Sequence, residues 1–309
     1  MIGRPLQRTR AARRGGDRDG AALIVALWTI LILSLLIAGF AFDMHIEAGI
    51  TSHARKRMKA DYLANGGVEW AYAVLDRRSD VDPTDPGAEE SEMLAPAVNL
   101  SRGVAVRHVK KTLGDGSVTV SVIPEKGRRN VNKLDDRDWE ELLDQANVPR
   151  ELWPELIDCF ADWIDENDEH HLNGAESDDA YYEERGYKVK NGPVDTVDEL
   201  LLIKGFTRRL VYGGPAPDEN EEDYFGIAQH LTAWGDGRVN INTASRDVLL
   251  TIPDIDEWTV DAILESRSGL DGEAGSIDDG FESLDEALNL LPELEPFKDE
   301  LTTADVEYV

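Results

Sequence analysis

The sequence has a single cysteine among its 309 residues and far fewer basic than acidic side chains. A lone Cys159 excludes an intramolecular disulfide, and it excludes a zinc or iron–sulfur site built from several cysteines. The 32 lysines and arginines stand against 62 aspartates and glutamates, which gives a formal charge of -30. Because nucleic-acid binding depends on neutralising phosphates with basic side chains, no nucleic-acid partner is predicted. The chain is 41% hydrophobic, which is enough for a folded core.

Charge is absent from residues 21–42, which follow a basic leader at residues 1–20 with six arginines and two aspartates. The 22 uncharged residues would form a helix of roughly 33 Å, long enough to cross the hydrocarbon core of a bilayer. Arginines before the span and acids after it predict a cytoplasmic N-terminus and a bulk of the chain on the other side. Two alternatives stay open, a removable signal peptide and a signal anchor that keeps its leader.

The helix is predicted to continue through residues 43–76, outside the membrane. No proline occurs there, and apolar residues recur at three- to five-residue steps from Ile46 to Leu75. Gly66-Gly67 indicates a bend or a close packing contact within this part of the helix.

Residues 77–129 are predicted to form a linker and a β-hairpin. Residues 77–101 are rich in Asp, Pro, Glu and Ser, which is typical of an exposed loop. Residues 104–109 and 117–123 have strand composition and flank Gly114-Asp115-Gly116, a turn signal. A hairpin on the C-terminal half of a long helix predicts an α+β fold class with a small antiparallel sheet.

The remaining chain contains a sequence repeat. Asn130-Val131-Asn132 and Asn240-Ile241-Asn242 each precede a helical segment. Farther on, residues 196–200 and 283–287 both match a capping box, with a hydroxyl at the N-cap and a glutamate three residues later. These matches predict a large helical insertion at 130–237 and a second, helix-hairpin-helix-like module at 238–292. Coincidence between common helix starts is the alternative reading.

The hairpin of this second module is acidic, unlike the hairpins that bind DNA. DNA-binding hairpins of this type bring bare backbone N–H groups to a phosphate, but Pro253-Asp254-Ile255-Asp256-Glu257 presents three carboxylates instead. This pattern favours a packing unit over a DNA-binding one. The final residues, 293–309, are predicted to be a C-terminal strand region.

The strongest chemical signal is an acidic loop, residues 162–184, in which ten of 23 side chains are carboxylates. So many carboxylates repel one another unless a cation holds them together. Calcium accepts six to eight oxygen ligands in a flexible geometry, which such a loop can supply. The pattern is not an EF-hand, because His170 stands where that loop has glycine. A solvated acidic surface is the alternative. The predicted ligands are Asp162, Asp165, Asp168, Glu176 and Asp179.

Several of these segments together resemble the K-type minor pseudopilin family of bacterial type II secretion systems. The matching features are the basic leader ending at Gly20, the apolar helix beginning Ala21-Ala22-Leu23, the Asn-x-Asn segments and the acidic loop. The resemblance implies that prepilin peptidase cleaves between Gly20 and Ala21 and that the new N-terminus is methylated. Val25 is then the fifth mature residue, where most pilins have glutamate and the K-type does not.

The resemblance also implies a calcium-bearing loop, although two extra residues, Ser177-Asp178, make the correspondence to Asp179 imperfect. It implies a pilin-like fold with an abbreviated sheet. It also implies a single-pass protein of the inner membrane, mostly in the periplasm. This protein would initiate or cap a pseudopilus with the I- and J-type minor pseudopilins and the major pseudopilin. The competing hypothesis is a membrane-anchored calcium-binding or DNA-uptake module without a filament role. No catalytic motif is present, so no enzymatic activity is predicted.

Overall fold

The structure is a computed structural model that describes residues 16–81, 91–215, 223–269, 272, 276 and 278–303. The chain divides into two units between Asn65 and Gly66. Most of the leader, residues 1–15, lies outside the described residues, and so does the end of the predicted strand region, residues 304–309.

The first element is a single long helix, α1 (Gly16–Arg77), which contains both predicted helical parts. From Ala21 onward it is long and apolar enough to cross a membrane. Its apolar side chains are exposed there, with Leu23 at 64% and Phe40 at 68%. A continuous apolar surface of this length is stable in lipid and costly in water.

A β-hairpin packs on the last turns of α1. Strands β1 (Val106–Leu113) and β2 (Gly116–Val122) are antiparallel, and Leu113 lies opposite Gly116. The first strand is longer than predicted because it continues to the turn at Gly114, whose φ is 61°. A Cβ on Gly67 would lie 3.0 Å from a Val118 methyl group. The predicted close packing at the glycine pair is therefore a contact with the hairpin.

The prediction of an exposed loop at 77–101 is wrong for residues 94–101. Residues 94–101 form a helix, α2 (Leu94–Ser101), and its residues 96–100 are buried. Ala97 and Leu100 pack with Val74 of α1 and Val106 of β1 in one small core. Residues 82–90 of the predicted linker lie outside the described residues.

The first module, defined here as residues 129–232, is mainly helical. Its strands β3 (Arg129–Asn130) and β4 (Leu231–Thr232) form a short parallel pair. Between them lie α3 (Asp136–Gln145), α4 (Trp153–Ile164), α5 (Ala180–Arg185) and α6 (Arg208–Tyr212). The core contains several aromatic residues, and the Trp139 ring packs at a tilt against Phe160 with ring centroids 4.8 Å apart.

The second module, residues 239–302, has its own core. Strands β5 (Val239–Asn240) and β6 (Leu301–Thr302) are again parallel. Helices α7 (Arg246–Leu249), α8 (Glu257–Ser266) and α9 (Leu284–Leu290) lie between them, and Ile241, Leu249 and Ile263 are fully buried.

The two Asn-x-Asn segments make equivalent contacts. In each, the side-chain oxygen of the first asparagine accepts from the backbone N–H of the second. The amide of Asn132 exchanges hydrogen bonds with both backbone groups of Val194, and that of Asn242 does the same with Phe281.

The two predicted capping boxes behave differently. Ser283 caps α9 by accepting from the N–H of Glu286. The prediction of a capping box at Thr196 is wrong. Its side chain makes no capping hydrogen bond, and residues 197–202 form a 3-10 helix.

Candidate functional site

The acidic loop begins at the last turn of α4, where Asp162 is fully buried. The helix ends after Ile164 because Asp165 adopts an extended conformation. The chain then reverses, and one Asp162 oxygen accepts from the backbone N–H of His171 at 3.0 Å and contacts His171 Nδ1. These two contacts fix the loop at His171 against the end of α4.

The second oxygen of Asp162 has no hydrogen-bond partner among the described residues, although it is buried. Gly174 passes directly over it. A Cβ at that position would lie 2.0 Å from this oxygen, so only glycine fits there. A buried carboxylate oxygen without a partner is costly, and it marks a place where a cation would be stabilising.

Glu176 is the second buried acid of the loop, with 2% of its surface exposed. Neither of its carboxylate oxygens has a well-formed hydrogen bond with a described residue. Burial raises the pKa of Glu176, and the neighbouring charges of Asp162, Asp165 and Asp168 raise it further. Uncompensated negative charge is therefore concentrated around this side chain.

Asp165 and Asp168 stand at the more exposed side of the same cluster. Asp165 accepts from the backbone N–H of Asn167 at 3.1 Å, and Asp168 accepts from Asn191 Nδ2 at 3.1 Å. Potential ligand atoms of Asp162, Asp165 and His171 lie within 4.8 Å of one another. The structure thus brings Asp162 and Asp165 together, and the charges of Asp165 and Asp168 act on Glu176.

Asp179 has a different role from the other four predicted ligands. It caps α5 by accepting from the N–H of Tyr181 at 2.8 Å, and Lys204 Nζ lies 2.9 Å from its other oxygen. These two contacts lower the pKa of Asp179, the hydrogen bond from Tyr181 most strongly. Its charge is already compensated within the protein.

His171 was missed by the sequence analysis, which gave the histidines no role. It joins the cluster through Asp162, and this hydrogen bond raises the pKa of His171. The neighbouring His170 instead pairs with the exposed Asp178 at 2.7 Å. No sequence signal distinguishes the two histidines, because the selection depends on where the loop turns back.

Cys159 lies one helical turn before Asp162 and is fully buried. Burial raises the pKa of the thiol to about 12. The thiolate, which is the form that binds metals and attacks electrophiles, is thus strongly disfavoured. The cysteine is a packing residue of the first module.

Gly20 and Ala21 lie within α1. Val25, four residues beyond Ala21, is 62% exposed on this apolar helix. The helix is continuous through the predicted cleavage point.

The hairpin between α7 and α8 uses each of its three carboxylates internally. Asp254 pairs with Arg137 at 2.9 Å, Asp256 caps α8 at the N–H of Thr259, and Glu257 pairs with Arg246 at 3.1 Å. Asp254 also has a positive φ of 64°. The Arg137–Asp254 pair links the two modules at the surface, and the other two contacts lie within the second module.

Comparison with known proteins finds similarity to one kind of protein along most of the chain. A family model described as type II secretion system, protein K, matches residues 119–212. Type II secretion system protein K of Pseudomonas aeruginosa is 26% identical over 294 residues, which cover 91% of this chain and 79% of that protein. The protein of the same name from Klebsiella pneumoniae is 21% identical over 244 residues, covering 74% and 67%.

The fold is similar to a chain in the crystal structure of the GspK-GspI-GspJ complex from enterotoxigenic Escherichia coli. The TM-score is 0.52 at 16% identity, and the match covers 82% of this chain and 85% of that one. This match confirms the predicted pilin-like α+β fold, with its long N-terminal helix and small antiparallel sheet. The family model and the two relatives thus show that this chain is similar to type II secretion system protein K.

Proposed function

We propose that this chain is a K-type minor pseudopilin of a type II secretion system. It initiates or caps the periplasmic pseudopilus that drives export of folded proteins across the outer membrane. The apolar part of α1 lies in the inner membrane, and the bulk of the chain is in the periplasm. The I- and J-type minor pseudopilins are its immediate partners, and the major pseudopilin forms the filament below them. The observation that carries the proposal is the similarity, over most of the chain, to one chain in the crystal structure of the GspK-GspI-GspJ complex.

The residue at mature position five supports a terminal place in the filament. Glutamate at that position in other pilins neutralises the N-terminal amine of a neighbouring subunit. Here it is Val25, so no carboxylate is buried in lipid, where an unpaired charge is costly. A subunit with no further subunit above it has no amine to neutralise.

Co-purification with its partners tests the terminal role. The full chain, tagged at its C-terminus and extracted in detergent, should bring down the I- and J-type pseudopilins in a fixed ratio. A filament formed by this protein alone, or recovery of the major pseudopilin without the other two, would count against a terminal role.

Processing is the second part of the proposal. Prepilin peptidase would remove residues 1–20 and methylate Ala21. Mass spectrometry of the membrane-extracted protein should then show a chain that starts at N-methylated Ala21. Gly20→Val should block cleavage but leave membrane insertion intact, because residues 21–42 are unchanged. Recovery of the intact leader in cells with active peptidase would contradict this step.

The acidic loop is proposed to bind calcium. The residues fit a hard cation, because oxygen donors converge there and the buried oxygens of Asp162 and Glu176 lack partners among the described residues. Asp162, Asp165, Asp168 and Glu176 would hold the ion, whereas Lys204 already neutralises Asp179. When bound, calcium supplies the positive charge that offsets the repulsion within the loop and so orders it.

A further inference from the structure

Two adjoining cavities lie where the β1–β2 hairpin meets the second module. The larger, of about 340 Å³, is lined by residues that include Arg107, Thr243, Arg267 and Asp279. The smaller, of about 270 Å³, shares Arg107 and Thr243 with it and adds residues that include Arg128, His230 and Asp247. The described lining of the pair thus carries more arginines than carboxylates, in a chain whose formal charge is -30.

Arg267 is held rigidly at the wall of the larger cavity. Its Nη1 donates to the backbone oxygens of Ile241 at 2.8 Å and Ala244 at 2.7 Å. Neutral carbonyls fix the guanidinium without cancelling its charge. Burial lowers the pKa of Arg267 to about 10, and repulsion by Arg107 contributes to this shift. Arg107 thus adds positive charge beside Arg267, and Asp279 in the same lining offsets part of it.

Two further groups point to a missing partner at this place. Thr243 is 7% exposed, and its hydroxyl has no hydrogen-bond partner among the described residues. His230, in the smaller cavity, is 3% exposed and its Nδ1 is likewise without one. An anion that accepts hydrogen bonds would stabilise both the buried hydroxyl and the two guanidiniums that line the same cavity.

We propose that the larger cavity binds an oxyanion between Arg107 and Arg267. The ligand class is set by the guanidinium, whose planar donors match two oxygens of a carboxylate, phosphate or sulfate group. Such an oxyanion comes from one of two sources, a free ion or a carboxylate side chain of a bound partner subunit. The partner source rests on the proposed function, whereas the free ion does not.

Thermal unfolding of the full chain in detergent tests the free ion. Sodium phosphate, sulfate and acetate are each compared with sodium chloride at equal ionic strength, because salt alone screens this acidic surface. The test variant is Arg107→Gln, which changes an exposed side chain of β1. The matched control is Lys110→Gln, which removes the same charge from the same strand and does not line either cavity.

At least one of the three anions should raise the melting temperature of the wild type and of Lys110→Gln. Arg107→Gln should weaken the apparent affinity about tenfold or more, the usual loss for a charged hydrogen bond. If no free ion binds, Arg107→Gln should instead weaken co-purification with the I- and J-type partners, and Lys110→Gln should not. Equal responses of the two variants in both experiments would overturn the proposal. If an anion stabilises the protein but Arg107→Gln co-purifies normally with the partners, the ligand is a free ion. The two sources are distinguished in this way.

Discussion

The two helical modules share a backbone frame but treat their acidic residues in opposite ways. Asn132 clamps Val194 across 62 residues, and Asn242 clamps Phe281 across 39. The longer first module uses its extra chain for the acidic loop, where Asp162 and Glu176 carry buried oxygens without described partners. In the hairpin of the second module every carboxylate has a partner within the protein. A shared frame therefore supports an acidic loop with unpartnered buried oxygens in one module and a hairpin with paired carboxylates in the other.

The largest effect should come from breaking the shared frame. Asn242→Ala leaves the buried N–H and C=O of Phe281 without side-chain partners, and Asn132→Ala does the same at Val194. Each variant should lower the free energy of unfolding by about 2–4 kcal/mol, the cost of unsatisfied buried groups. Denaturant unfolding of the full chain in detergent measures this change.

The exposed Asn289→Ala on α9 is the control for this pair and should stay within about 0.5 kcal/mol of the wild type. A negligible effect of either clamp variant would show that the two segments are similar in sequence but not in structural role.

The next largest effect should come from removing one buried negative charge, which should change the calcium response only in the first module. Calcium at a hundredfold excess over its dissociation constant should stabilise the wild type by about 2.7 kcal/mol. Glu176→Gln should abolish this gain, yet in chelator it should be more stable than the wild type by about 1–3 kcal/mol, because an uncompensated buried charge is gone. Thermal unfolding at fixed ionic strength measures both effects.

Asp254→Asn is the matched variant in the second module and should keep the full calcium response. A Glu176→Gln protein that is less stable than the wild type in chelator would mean that the glutamate is already satisfied without metal.

A smaller effect is expected from the glycine over Asp162. Gly174→Ala places a methyl group against the buried Asp162 oxygen and should destabilise the protein by about 1–3 kcal/mol. It should also weaken the calcium response, which thermal unfolding with and without chelator would report. Gly192→Ala, where a Cβ meets nothing within 4 Å, is the control and should be nearly neutral. Equal stability and calcium response of the two variants would argue against close packing of Gly174 on the Asp162 carboxylate.

Much of the fold could be predicted from local signals. An uncharged run of sufficient length gives the long helix, and alternating residues around Gly114 give the hairpin. Helix α2 could not be predicted, because a short apolar run, residues 94–100, lies within an acidic and proline-rich segment and is stabilised by packing on α1.

The candidate site could be predicted only in part, because its composition is local but its contacts are not. The density of carboxylates indicated Asp162, Asp165 and Glu176. The compensation of Asp179 depends on Lys204, which lies 25 residues later in the chain, and the choice of His171 over His170 depends on the path of the loop. Neither is encoded in spacing along the sequence.

Direct measurement of bound calcium is the sharpest test of a metal site that belongs to the first module alone. The full chain is equilibrated with calcium in detergent at fixed ionic strength, freed of unbound ion, and analysed by atomic emission beside Glu176→Gln and Asp254→Asn. The wild type and Asp254→Asn should retain the same stoichiometric amount of calcium, and Glu176→Gln should retain none. Equal calcium in all three proteins, or none in the wild type, would contradict a calcium site in the acidic loop.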